Sequence, residues 1–203
     1  AMAAFFNLTG ALFGGAVAST IGKGLVDTEV VTMTTVLCAV LAAFGWNIAT
    51  WWLGLPSSSS HALIGGLCGA ALAAAKGDWS VIKWNHGVWP KVVLPMIASP
   101  IAGFVFGALF MFLLLIALHR LTPHFVHSLF GKLQIFSAAW MAHSHGTNDA
   151  QKTMGIITLA LFTGTKAGSF DNWPRWLDFL KTPSFVLPKW VIALCAVTMA
   201  AGT

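Results

Sequence analysis

From Val30 to Ala75 the chain runs for 46 residues without one Asp, Glu, Lys or Arg. As a single helix this stretch would reach about 69 Å at 1.5 Å per residue, roughly twice the ~30 Å hydrocarbon core of a bilayer. It must therefore fold back on itself. The turn is legible near its middle, in Leu55-Pro56-Ser57-Ser58-Ser59-Ser60-His61, where proline interrupts a helix and serines can cap the next one. The expected element is a helical hairpin with a polar tip. Only 8% of the residues are charged and 57% are apolar, against roughly 25% charged in a soluble domain, so the hairpin belongs in a membrane.

The rest of the chain reads as an all-α, polytopic helical bundle. Ala1–Gly22 is uncharged and long enough to span the bilayer; a polar link with Lys23, Asp27 and Glu29 follows. After the hairpin comes a loop, Lys76–Lys91, with Trp79, Trp84 and Trp89, the indole-rich composition of a membrane interface. Val92–Leu118 is a span with Pro95 and Pro100 near its entrance, and His119–Lys132 is a connector whose His119, His124 and His127 read as solvated. Leu133–Thr165 carries its only formal charges, Asp149 and Lys152, near its centre. A loop, Lys166–Lys189, with Trp173 and Trp176 leads to Trp190–Thr203, an uncharged stretch of 14 residues reaching about 21 Å.

That short last helix and the absence of Met at position 1 make a single transmembrane domain, 1–203, incomplete at both ends, the expectation. The net charge of +5 forms no basic stripe, so no nucleic-acid partner is expected. Cys38, Cys68 and Cys195 lack paired spacing and read as packing residues. Glycine patterns such as Gly65, Gly66, Gly69 and Gly103, Gly107 suit close helix approach in lipid. If the hairpin enters and leaves on one side, the links at 23–29, 76–91 and 166–189 share a face that carries most of the Lys and Arg, and the positive-inside rule makes that face cytoplasmic.

Two constellations carry chemistry. In His143-Ser144-His145-Gly146-Thr147-Asn148-Asp149-Ala150-Gln151-Lys152-Thr153, a charge at membrane depth costs about 2.5–3.5 kcal/mol on insertion scales. Such groups are retained where they pair, bind an ion or line a wet cavity. Asp149 and Lys152, three apart, can form a structural ion pair, but the surrounding hydroxyl and amide groups are more than such a pair needs. In the second, Ser57 to His61, hydroxyls and the free N–H groups of a helix start favour an anion; an ordinary polar turn with a capping His61 is the alternative. Together they suit a site in which an anion and a cation or proton stabilise each other, the physical basis of symport. A protonated phosphate can donate to a carboxylate and sulfate at neutral pH cannot, which favours phosphate. Asn7-Leu8-Thr9 matches a glycosylation acceptor but lies in an apolar span, so it is not expected to be modified, and Asn47 either bonds between helices or borders the site.

Gly146-Thr147-Asn148-Asp149-Ala150-Gln151-Lys152-Thr153-Met154-Gly155 resembles the Gly-x-Asn-Asp signature of the inorganic phosphate transporter (PiT) family, and Pro56–Ala62 resembles its Ser/Thr-rich hairpin motif. The resemblance runs over essentially the whole chain. It implies a secondary transporter of two inverted repeats, in which discontinuous helices meet near the midplane with their N-termini facing the anion. Carried onto this sequence, it implies that Ser58, Ser59 and Ser60 contact phosphate with Thr147 and Asn148 near it. Asp149 holds the coupling cation, and is the metal ligand if that cation is sodium. Ser57, His61, Gln151 and Lys152 are supporting candidates. One Asn-Asp motif and one serine hairpin are present where the family carries two of each, so the chain corresponds to a first repeat lacking its Asn-Asp motif followed by the start of the second.

The expected function is alternating-access symport of inorganic phosphate with sodium ions or protons, in a multi-pass protein of the plasma (inner) membrane. No catalytic residue and no cofactor is expected, and the absence of a Gly-rich loop with Lys-Ser/Thr leaves an ion gradient as the energy source. The 203 residues are not expected to transport alone unless two copies assemble as a homo-oligomer. The alternatives are symport of sulfate or another oxyanion, a non-transporting structural subunit, and, more distantly, a membrane enzyme with a metal on His143, His145 and Asp149.

Overall fold

The break at Pro56 is built as a helix stop followed by a helix start. Helix α3 (Met33–Trp52) opens on a reciprocal cap, in which Thr32 Oγ1 accepts from the Thr35 amide and Thr35 Oγ1 accepts from the Thr32 amide, each at 3.2 Å. It closes at Gly54, whose φ of +68° is a conformation that a Cβ disfavours. There the Leu55 amide donates back to the Thr50 carbonyl and the Gly54 amide to that of Trp51, which satisfies carbonyls left open at the helix end. Pro56 prevents resumption, and Ser58 caps helix α4 (Ser59–Ala74) by accepting from the His61 amide at 3.4 Å. The two arms pack together with Gly66 against the Ala39 backbone. The expected hairpin is present; Gly54, its stop, is the part that proline had overshadowed.

The computed structural model describes residues 1–13 and 15–203; the expected first span, Ala1–Gly22, includes residue 14, which lies outside the described residues. On either side of it the span forms helices, α1 (Met2–Ala11) and α2 (Ala16–Ser19), the latter running on into a π-helical turn, Thr20–Gly24. The two are inclined at 59°. After the hairpin, π-helical turns over Trp84–Val93 lead straight into α5 (Leu94–Leu118). The second half of the expected 76–91 loop is therefore helical. Pro90, inside those turns, has no N–H and crowds the preceding turn, which favours the wider i→i+5 bonding.

Helix α6 (Pro123–Lys166) is continuous for 44 residues, about 66 Å. This corrects the 119–132 connector, most of which is the first part of α6. Thr122 caps it by accepting from the Phe125 amide, Pro123 takes the first helical position, where its missing N–H costs nothing, and no breaker intervenes before the motif. His119, His124 and His127 are exposed, as expected. Helix α7 (Lys189–Ala201) completes the chain. By length and composition α3 and the continuous helix Trp84–Leu118 suffice to cross a membrane, and the bent α1–α2 pair can count as a third crossing.

Two apolar clusters hold these helices. Leu25, Val26, Val36, Leu67, Ile82 and Leu159 join α3, α4 and α6 to the links beside them, while Ala11, Ala18, Ala150, Met154, Val191 and Cys195 join α1, α2, α6 and α7. Cys38 differs from its expected packing role in being exposed. In α5 no residue is buried, and a Cβ at Gly103 or Gly107 would meet nothing within 4 Å, so that pair mediates no helix approach among the described residues. The links at 23–29, 76–91 and 166–189 do share a face. Val26 bridges Ile82, Lys83 Nζ donates to the Lys23 carbonyl at 3.0 Å, Lys166 pairs with Glu29, and Lys23 lies over the Phe185 ring.

Candidate functional site

The Asn-Asp motif sits on α6 where that helix crosses α1 with the backbones in near contact. A Cβ on Gly146 would run into the Asn7 backbone, and one on Gly10 into the His143 carbonyl, so only glycine permits this approach. Side chains then tie the crossing. Thr147 Oγ1 shares its proton between the carbonyls of Gly10 (3.0 Å) and His143 (2.9 Å). Thr9 Oγ1 and His143 Nδ1 lie 3.3 Å apart, and Asn7 Oδ1 meets His145 Nδ1 at 3.2 Å. Asn7 is buried and also donates to Thr203 Oγ1 at 3.3 Å. Its burial leaves no room for a glycan, in line with the reading of Asn7-Leu8-Thr9.

Gln151, also buried, serves the break between α1 and α2. Its Oε1 accepts from the Val17 amide (3.0 Å) and its Nε2 donates to the Phe13 carbonyl (3.2 Å). Irregular backbone in a membrane must find such partners, because lipid offers none. The discontinuous helix beside the motif is thus the α1–α2 pair, and the motif itself lies on unbroken helix. Of the discontinuous helices that the family resemblance implies, the described residues show this pair beside the motif and the break between α3 and α4 at the hairpin tip.

At the next residue, Lys152 Nζ donates both to Asp149 Oδ1 and to Ser60 Oγ, each at 2.5 Å. The other carboxylate oxygen, Asp149 Oδ2, lies 3.0 Å from His145 Nε2. A chain of contacts therefore runs from the hairpin tip through Lys152, Asp149 and His145 to Asn7 on α1. Among the described residues Lys152–Ser60 is the hydrogen bond that joins the tip to α6. Asp149 and Lys152 form the pair that their spacing foretold, with the tip serine added.

The remaining predicted residues are dispersed around this junction. Ser57, Ser58 and His61 line a groove of about 740 Å³ between α3 and α4, together with Trp46 and Pro56. Ser59 is exposed at the first turn of α4. Asn148 points outward and donates to its own helix at the Ser144 carbonyl, 2.9 Å; Thr147 faces α1. On its α7 side Asp149 borders a smaller cavity of about 190 Å³ with Thr153, Cys195 and Thr198. Two members of the network read otherwise in the sequence, His145 only as a distant metal candidate and Asn7 only as part of a glycosylation acceptor. His145 stands four residues before Asp149, a readable helical contact, and Asn7 is an isolated amide inside an uncharged span. Among the described residues no three of His, Cys, Asp and Glu gather as a metal site, and His143 and His145 turn to separate partners.

Comparison with known proteins agrees with this architecture. The phosphate transporter family matches residues 1–203. A probable low-affinity inorganic phosphate transporter of Mycobacterium tuberculosis is 42% identical over 203 residues, covering 100% of this chain and 45% of that protein. The corresponding protein of Bacillus subtilis is 38% identical over 204 residues, 100% and 56% respectively. The low-affinity inorganic phosphate transporter PitB of Escherichia coli is 34% identical over 198 residues, covering 84% of this chain and 40% of PitB. The chain thus spans about half the length of the curated relatives it matches. A solved structure described as the sodium-dependent phosphate transporter superposes with a TM-score of 0.78 at 20% identity, over 99% of this chain and 64% of that one, a likeness of fold.

Proposed function

The chain belongs to the phosphate transporter family, a family of integral membrane transporters and not of enzymes, and from that premise we propose that a transporter containing it carries inorganic phosphate by ion-coupled symport across the plasma membrane. The hairpin tip, Ser58 to Ser60 with Ser57 in support, takes the anion; Asp149 answers to the coupling cation, sodium or proton; Thr147, bonded to the Gly10 carbonyl on α1, and Asn148, which donates to its own helix, precede it on α6. In this reading the chain supplies one hairpin and one Asn-Asp motif of an inverted-repeat site, and movement of one repeat against the other exposes the site to alternate sides. A second set of motifs completes the site, from further chain or from a second copy.

The observation that carries the proposal is the position of the Lys152 ammonium. It rests against Ser60, in the first turn of α4, where the helix dipole is positive and the first amides lack intrahelical partners. A cation at the positive end of a helix is unfavourable unless an anion joins it. Asp149 offsets the charge of the ammonium, and what remains, the helix terminus and the serine hydroxyls, suits an anion. A protonated phosphate is favoured over sulfate because it can also donate to a carboxylate.

Radiolabelled phosphate uptake tests this in cells lacking their own phosphate transporters, with the protein expressed from its complete coding sequence. Uptake by the wild type should resist excess sulfate, and Asp149→Asn should abolish most of it while still inserting in the membrane. Robust expression without uptake sinks the reading. The Lys152–Asp149 contact itself favours one rival, a purely structural pair. That rival requires the double replacement Asp149→Leu with Lys152→Leu to keep full uptake; the symport reading requires its loss.

A further inference from the structure

We infer that Lys152 is a tethered substitute for the coupling cation at Asp149, so that this half of the site works without sodium. The inference rests on the symport reading and deepens it by naming which charge stands between substrate and carboxylate. A phosphate anion beside an ionised carboxylate is repelled unless a shared proton or a cation between the two relieves it. Here that place is filled by the chain itself, with the ammonium 2.5 Å from Asp149 Oδ1 on one side and 2.5 Å from Ser60 Oγ on the other.

The second carboxylate oxygen is engaged as well, by His145 Nε2 at 3.0 Å. A sodium ion on the same carboxylate would therefore sit beside an ammonium. Two like charges held this close repel, and more strongly away from bulk water. Free approach to the carboxylate is left from the small cavity against α7, beside Thr153 and Thr198. The Thr198 hydroxyl there already donates to the carbonyls of Leu194 and Cys195.

Two substitutions separate a cation's role from a packing role. Lys152→Ala empties the space the ammonium fills, whereas Lys152→Met fills it with an uncharged chain of similar reach. In proteoliposomes of the complete protein, whose second set of motifs keeps any sodium response of its own, wild-type phosphate uptake should gain less from sodium over choline medium than that of Lys152→Ala. Lys152→Ala in choline should fall about tenfold or more, at about 1.4 kcal/mol per factor of ten. Sodium or methylammonium should restore it, and neither should restore Lys152→Met. Thermal unfolding of the purified protein gives a second readout: sodium should raise the midpoint of Lys152→Ala by more than that of the wild type.

A wild type whose uptake or unfolding midpoint responds to sodium as strongly as that of Lys152→Ala overturns the inference. So does an inserted Lys152→Ala that no cation affects. A wild type that takes up no phosphate in either medium overturns the symport reading instead, and the unfolding series then decides the role of Lys152 by itself. Should Lys152→Ala fail to insert, Lys152→Ser, which also removes the ammonium, gives the same comparison with the wild type.

Discussion

Gln151 shows how one side chain can decide whether a broken helix is affordable in lipid. It is buried, and it meets one backbone amide and one backbone carbonyl on opposite sides of the α1–α2 break. A buried polar group left without its partner costs about 1–3 kcal/mol, and Gln151→Ala strands two. The expected loss is about 2 kcal/mol or more, read as a lower unfolding midpoint in detergent. Gln151→Glu keeps the acceptor for Val17 but buries a carboxylate and sets one of its oxygens against the Phe13 carbonyl, so it should destabilise at least as much as alanine. An unchanged midpoint in both variants would mean that the break has other partners. Sequence placed Gln151 only beside the motif, as a supporting candidate. Its bonds reach backbone more than 130 residues away, and nothing local signals them. Asp149 and Lys152 were legible for the opposite reason, since two charges in a long apolar stretch stand out in any reading. Asn7 was hidden because an uncharged amide does not.

At the scale of elements, what the sequence revealed depended on whether a boundary has its own chemistry. The hairpin break combines Gly54, Pro56 and Ser58, and two of those three were readable as punctuation. The start of α6 was not, because an exposed helix and a polar loop have similar composition, and His119–Lys132 fits both. Nor was it readable that α6 crosses α1 with backbones in near contact. The Gly146 of the motif is what permits that crossing, although its place in the signature suggests a role at the substrate. Gly146→Ala should force α1 away from α6, at the roughly 1–3 kcal/mol typical of overpacking. It should also loosen the Asn7–His145 contact. The expected outcome is a lower unfolding midpoint together with weaker phosphate uptake. Normal stability with lost uptake would instead assign the glycine to the site.

For the molecule as a whole, depth and charge lead to one orientation. Asp149 lies 17 residues before the end of α6 at Lys166, about 26 Å along the axis. The hairpin arms of 20 and 16 residues reach about 30 and 24 Å from the same end. Tip and motif thus arrive at one level from one face, and contacts among the links tie that face together: the Val26–Ile82 bridge, Lys83 with Lys23, and Lys166 with Glu29. Lys23, Lys76, Lys83, Lys91, Lys166, Arg175 and Lys181 belong to its links, while the turn beyond α5 and the first part of α6 carry Arg120 and Lys132. Short loops rich in Lys and Arg stay cytoplasmic, so this face should be the cytoplasmic one, with the hairpin entering from inside. Single cysteines at Ser80 and His124, both exposed, test it in a background from which Cys38, Cys68 and Cys195 have been removed. An impermeant maleimide applied to intact cells should label His124→Cys and spare Ser80→Cys until the membrane is opened. The reverse pattern inverts the orientation and leaves the fold intact. Labelling of both from outside would mean that α5 does not cross, and the argument from depth would fall with it.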